Sequence, residues 1–154
     1  MAKRDDIQAY NQIAHLLIDA GADYRRAADS AADPAAGEII NGVIAERRRL
    51  LDEMRARVRA MGGAPIRERG PEHPWMVKVR QMFSSRPKAA IDEVERGEDH
   101  LRDALRRLMR HEAISAEARA FFGVTLDQLL LGHDKVAALK RREDAKPPAD
   151  TAKA

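Results

Sequence analysis

Apolar residues return at intervals of three and four in four separate stretches of this chain, and that recurrence constrains its fold more than any other feature. From about Asp5 to Ser30, Tyr10, Ile13, Ala14, Leu17, Gly21, Tyr24 and Ala28 fall on one stripe. A second stripe runs through Ile39, Val43, Leu50, Met54, Val58 and Met61, a third through Ala90, Val94, Leu101, Leu105 and Leu108, and a fourth through Ala118, Phe122, Thr125, Leu129, Val136 and Lys140. A spacing near 3.6 gathers these side chains on one face of a helix, whereas on a strand it would scatter them over both faces. The spacing therefore predicts four amphipathic helices, each needing a partner for its apolar face.

Punctuation between the stripes supports the same division. Asp33-Pro34 reads as an N-cap followed by proline at the first helical position, where the missing N–H costs nothing. Gly62-Gly63 permits a left-handed cap at the end of the second helix. Ser85, two residues before Pro87, can start the third helix, which runs to about Arg110, and Ser115 is the predicted N-cap of the fourth. The first two helices are joined by a short connection and so should be antiparallel, as should the last two. Between Gly62 and Ser85, Pro65, Gly70, Pro71 and Pro74 break the pattern over a stretch too long for a turn. This stretch is predicted to be a crossover, long enough to let the second and third helices run parallel. Trp75, Val79, Met82 and Phe83 return at helical spacing within it, which predicts a short helix packed across the bundle. The expected fold is all-α: two antiparallel hairpins joined by a long crossover, forming one domain over residues 1–144, with 145–154 as a disordered tail.

Composition narrows the functional classes. The chain has no cysteine, which removes thiolate metal sites, thiol nucleophiles and disulfide frameworks. Its 28 basic residues are interspersed with 25 acidic ones and aromatics are 4% of the chain, so a basic track with stacking rings is not expected and nucleic acid is an unlikely partner. No apolar run is long enough for a leader or a membrane span, and the expected location is the cytoplasm. No phosphate loop, nucleophile motif or triad pattern is visible, so no catalytic residue is assigned and the reading leans away from an enzyme.

Charged residues inside an apolar stripe are the candidate functional groups, because ionisable side chains are rarely buried without a partner. Glu46 and Arg47 lie between Val43 and Leu50. Glu98 stands between Val94 and Leu101, with Glu95 flanking, and His133 lies between Leu129 and Val136. Two readings follow. In the first, Glu46, Arg47, Glu98 and His133 form a buried polar layer with the Tyr24 hydroxyl, fixing helix register and binding no cofactor. In the second, Glu46, Glu95, Glu98 and His133 are ligands for iron or another divalent metal. A full di-metal bundle site uses two Glu-x-x-His motifs, and here Glu46 is followed at that spacing by Arg49 while His133 is preceded by Leu130. The first reading is therefore preferred.

Five features in order resemble a known family: Asp33-Pro34, Ala45-Glu46-Arg47 leading to Met61-Gly62-Gly63, Trp75-Met76, Glu95-Arg96-Gly97-Glu98-Asp99, and His133-Asp134 with Leu139. Over roughly residues 10–143 the chain is similar to the bacterial ferritin-like four-helix-bundle proteins catalogued as a domain of unknown function. The resemblance implies a ferritin-like bundle in the bacterial cytoplasm and supplies no activity, substrate or partner. The expected function is a non-enzymatic binding or structural protein resembling the stress-associated ferritin-like proteins, the alternative being an iron-binding or di-metal carboxylate redox protein. A homodimer is expected as well, because consecutive Leu129, Leu130 and Leu131 cover about 200° of a helix, more than one bundle-facing stripe occupies; the excess can be covered by the crossover helix or by a second copy, and two-fold dimers are the commonest closed assembly.

Overall fold

The computed structural model describes residues 2–30, 34–67 and 87–145. These contain four helices and no strand: α1 Ala2–Asp29, α2 Pro34–Ala60, α3 Pro87–Met109 and α4 Ala116–Ala145. The predicted boundaries hold within a few residues. The first helix begins three residues earlier than expected and the fourth continues one residue into the expected tail. Asp33, Ser85, the helix expected at Trp75–Phe83 and residues 146–154 lie outside the described residues.

Cap chemistry explains where the helices stop. The Gly63 N–H donates to the Val58 carbonyl and the Gly62 N–H to the Arg59 carbonyl, both at 2.9 Å, while Gly62 holds φ of +80°. These paired bonds close a Schellman motif, whose left-handed residue is inexpensive only for glycine. Gly63 also packs close to α1, since a Cβ there would meet Ile7 at 3.0 Å and Val58 at 3.1 Å. At the start of α4 the Ser115 hydroxyl accepts from the Ala118 N–H at 3.1 Å, as its predicted N-cap role requires. Ser115 is itself held by Asp6, whose carboxylate accepts from its backbone N–H at 2.9 Å and from its hydroxyl. Asp6 is buried and ties the start of α1 to the α3–α4 corner.

Contacts between named residues set the helix directions. The end of α2 lies beside the start of α1, where Asn11 donates to the Ala64 carbonyl at 3.1 Å and accepts from the Ile66 N–H at 3.2 Å. The two helices are therefore antiparallel. Arg26 near the end of α1 reaches Glu93 near the start of α3 at 3.1 Å. Lys140 near the end of α4 reaches Glu95 of α3 at 2.7 Å, and Arg57 near the end of α2 lies 3.5 Å from Glu117 at the start of α4. So α3 is antiparallel to both α1 and α4, α2 is antiparallel to α4, and α2 and α3 share a direction.

The apolar stripes meet along the axis. Ile13, Leu17, Val43, Met54, Val58, Leu101, Leu105, Phe122 and Leu129 are all buried in one cluster. Each fully buried Leu or Phe contributes about 1.5–3 kcal/mol relative to exposure. Tyr10, Phe121 and Phe122 form an aromatic group near the Schellman end, with ring centroids 5.0–6.3 Å apart, and the Arg57 guanidinium lies 4.1 Å above the Phe121 ring. The expected stripes shift by one residue in places: Ile40 is buried in place of Ile39, and Ala20 and Ala27 in place of Gly21 and Ala28. Small residues there let α1 sit close to α3, where a Cβ on Gly97 would lie 3.8 Å from that of Ala20. Among the described residues no helix is long and apolar enough to cross a membrane.

Candidate functional site

Half-way along the bundle the core contains an ion pair. Arg47 projects from the middle of α2 and Glu98 from the middle of α3, where both occupy core-facing stripe positions among Val43, Leu50, Val94 and Leu101. Arg47 Nε and Nη2 donate to Glu98 Oε1 at 3.1 and 3.0 Å, Nη2 reaches Oε2 at 3.2 Å, and Nη2 also donates to the Leu129 carbonyl of α4 at 3.2 Å. The guanidinium thus bridges three helices. Arg47 is 3% exposed and Glu98 0%, so neither group keeps its hydration. Burial pushes the Glu98 carboxyl up to about 8, with Asp99 adding in the same direction, and pulls the Arg47 guanidinium down to about 10 against the raising influence of Glu46.

A glycine makes room for this arrangement. Gly132 is buried on α4 facing the guanidinium, and a Cβ there would overlap Arg47 Nη2 and lie 3.2 Å from Cζ. The end of an arginine can usually move aside, but Nη2 is pinned by the Glu98 carboxylate and the Leu129 carbonyl. Any larger residue at position 132 must therefore disturb the pair.

The other predicted site residues are distributed differently from the expectation. Glu46 is half-buried at the edge of the layer, its Oε1 3.7 Å from Arg47 Nη1. Tyr24 is fully buried, and neither its hydroxyl nor Arg47 Nη1 has a hydrogen-bond partner among the described residues. Glu95 turns away from the core and accepts from Lys140, which also pairs with Asp92 at 3.1 Å. The Glu95 and Asp92 carboxylates together hold the Lys140 ammonium well above its ordinary value, through their hydrogen bonds first. His133 does not join the layer. Its side chain is 23% exposed and its Nε2 lies 3.5 Å from Asp99 Oδ1, on the outer side of the α3–α4 seam. The reason is helical phase: between Leu129 and Val136 either residue 132 or residue 133 can face inward, and Gly132 takes that place because the guanidinium needs its space. Among the described residues no three His, Asp or Glu side chains come together in a way that could hold a metal ion.

Sequence reasoning found Arg47 and Glu98 because charged residues interrupting a stripe are conspicuous. It missed Gly132, whose only signal is a glycine within a helix, and Asp6, whose partner Ser115 is adjacent only in space.

Comparison with known proteins adds one finding. A family described as "Domain of unknown function (DUF2383)" matches residues 5–111, which spans α1 to α3 and stops before α4. No curated protein and no solved structure matches the chain.

Proposed function

We propose, from the premise that the chain belongs to this family of unknown function, that it is a ferritin-like bundle with no catalytic metal centre, acting as a binding or structural protein. The observation that carries the reading is the Arg47–Glu98 fork at mid-bundle. Bundle proteins that bind two metal ions surround them with inward carboxylates and histidines. Here an inward guanidinium occupies that position, where it would repel a cation while taking up the lone pairs of Glu98 that a metal would need.

The remaining donors do not fit a metal either. Glu95 is engaged by Lys140, His133 stands beside Asp99 on the outer side, and Glu46 lies closest to Arg47. A ferritin-like topology is supported by the shared direction of α2 and α3, which places the end of α2 and the start of α3 at opposite ends of the bundle. A homodimer is supported by Val124 and Leu131, which are 57% and 63% exposed and sit two turns apart on α4. A second copy of the chain would cover them.

The test is anaerobic addition of ferrous iron, removal of the excess, measurement of bound iron per chain, and then oxidation in air beside a Glu46→Ala, Glu98→Ala variant. The expected result is iron well below one per chain, with slow oxidation that is the same in the variant. Two irons per chain and rapid oxidation, both lost in the variant, would overturn the reading and establish the redox alternative.

A further inference from the structure

Between α1 and α2, next to the buried pair, lies a cavity of about 390 Å³ with an unusual lining. Leu17, Ile44 and Leu51 contribute apolar wall, while Arg25, Arg47, Arg48, Arg55 and Arg67 supply five guanidinium groups, and no acidic residue is among its described lining. Arg47 is paired with Glu98 and Arg55 with Asp52, so the uncompensated positive charge at the cavity comes from the other three arginines. Arg25, Arg48 and Arg67 are exposed, and none of them ion-pairs with a described carboxylate. Arg55 donates to the carbonyls of Ile66 and Arg67 at 3.0 and 2.6 Å and lies 3.8 Å from the Asp52 carboxylate, so its charge is partly compensated.

The inner part of the lining is formed by buried residues. Tyr24 and Arg47 form its buried back wall; Tyr24 Oη and Arg47 Nη1, which have no hydrogen-bond partner among the described residues, lie behind that wall and not on its surface. Volumes of about 300–1,000 Å³, predominantly apolar walls and a few fixed polar groups are the usual attributes of small-molecule sites.

We infer that this cavity binds an amphipathic organic anion, its acidic group held by Arg25, Arg48 and Arg67 and its apolar body lying against Leu17, Ile44 and Leu51. Guanidinium forks suit a carboxylate or sulfonate, and the cavity wall suits a hydrocarbon or fused-ring body. Inorganic phosphate would leave the apolar wall uncovered. A nucleic-acid strand would need an open basic track with rings to stack on, and the cavity offers neither. The inference rests on the reading of the bundle as a binding protein and names the class of its ligand.

The test uses the full-length chain and two fluorescent probes with the same ring system, 8-anilinonaphthalene-1-sulfonate and the uncharged N-phenyl-1-naphthylamine. The sulfonate is expected to bind saturably at one per chain, and decanoate but not decanol should displace it. An Arg25→Glu, Arg48→Glu variant, both changes being on exposed helix surface, should weaken the sulfonate by about tenfold or more while moving the neutral probe by less than about twofold. Gly21 also lines the cavity and a Cβ there would meet nothing within 4 Å, so Gly21→Leu should fill the space without a clash and abolish binding of both probes. Circular dichroism of the variants should match that of the parent chain. Absence of saturable sulfonate binding, equal binding by all three proteins, or displacement by single-stranded DNA in place of decanoate would each overturn the inference. Those outcomes leave the non-catalytic reading standing, whereas rapid iron oxidation overturns that reading and is measured separately.

Discussion

Two groups of charges on α3 look alike in the sequence and behave differently in the fold. Glu98 and Glu95 stand three residues apart, and each meets a basic side chain from another helix, Arg47 or Lys140. Glu98 and Arg47 are almost wholly withdrawn from solvent, whereas Glu95 and Lys140 are about a third exposed. A buried pair has lost its hydration and depends on its partner, while an exposed pair exchanges one polar contact for another with water. The same chemistry therefore specifies the packing of three helices in one place and decorates a seam in the other.

The largest expected effect comes from separating the buried pair. Arg47→Met strands the Glu98 carboxylate in the core and should destabilise the protein by about 3–5 kcal/mol in urea denaturation at pH 8. Adding Glu98→Leu to Arg47→Met should recover most of that loss, because two apolar side chains of similar volume need no partners. If the double variant is as unstable as the single one, packing around the guanidinium matters more than its charge.

Gly132→Ala should come next, at about 1–3 kcal/mol, because the new methyl overpacks the site and displaces Nη2 from Glu98 and the Leu129 carbonyl. Elsewhere in a helix the same substitution would stabilise, so the sign of the change in melting temperature decides the matter.

The pH dependence sharpens the comparison further. Glu98 has its carboxyl raised from 4.5 to about 8, so the folded chain binds this proton more tightly than the unfolded one. Its contribution is complete below about pH 4.5 and is lost as the pH rises through 8, with a slope of at most about 1.4 kcal/mol per pH unit. Arg47, Glu46 and Asp99 are the charged groups facing or flanking it, and Arg47 titrates only near 10. Stability of the parent chain should thus decline from pH 5 to 8 relative to Glu98→Gln. A parent chain that gains stability over that range would show that the guanidinium outweighs burial.

The smallest effect belongs to the exposed pair. Lys140→Ala should shift the melting temperature only slightly, and the shift should disappear in 1 M salt, where exposed charges are screened within about 3 Å. A loss that persists in high salt would mean that Lys140 contributes through its methylene stem packed along the seam.

Much of this was open to inspection in the linear chain. Periodicity located the helices because burial of one face is the main force on an amphipathic segment, and Gly62 and Ser115 marked ends because cap geometry is local. Arg47 and Glu98 were recognisable for the same reason, as charges where the period demands apolar side chains. His133 was placed inward by the same rule and lies outside, since a stripe specifies a helix face to within one residue in either direction. Ile39 and Ile40 show the same slip.

By itself, then, the sequence determined the four helices, their ends and the short list of charges that had to find partners, all of which depend on interactions within a few residues. Tertiary structure alone decided which charges became a pair. Only when α2, α3 and α4 converge does the Gly132 face open the space that Arg47 enters, which turns α4 so that His133 points outward, leaves Glu95 to Lys140, and surrounds the cavity beside Tyr24 with arginines. Those assignments depend on helix rotation and on desolvation shared by side chains distant in sequence, and neither quantity exists until the helices pack.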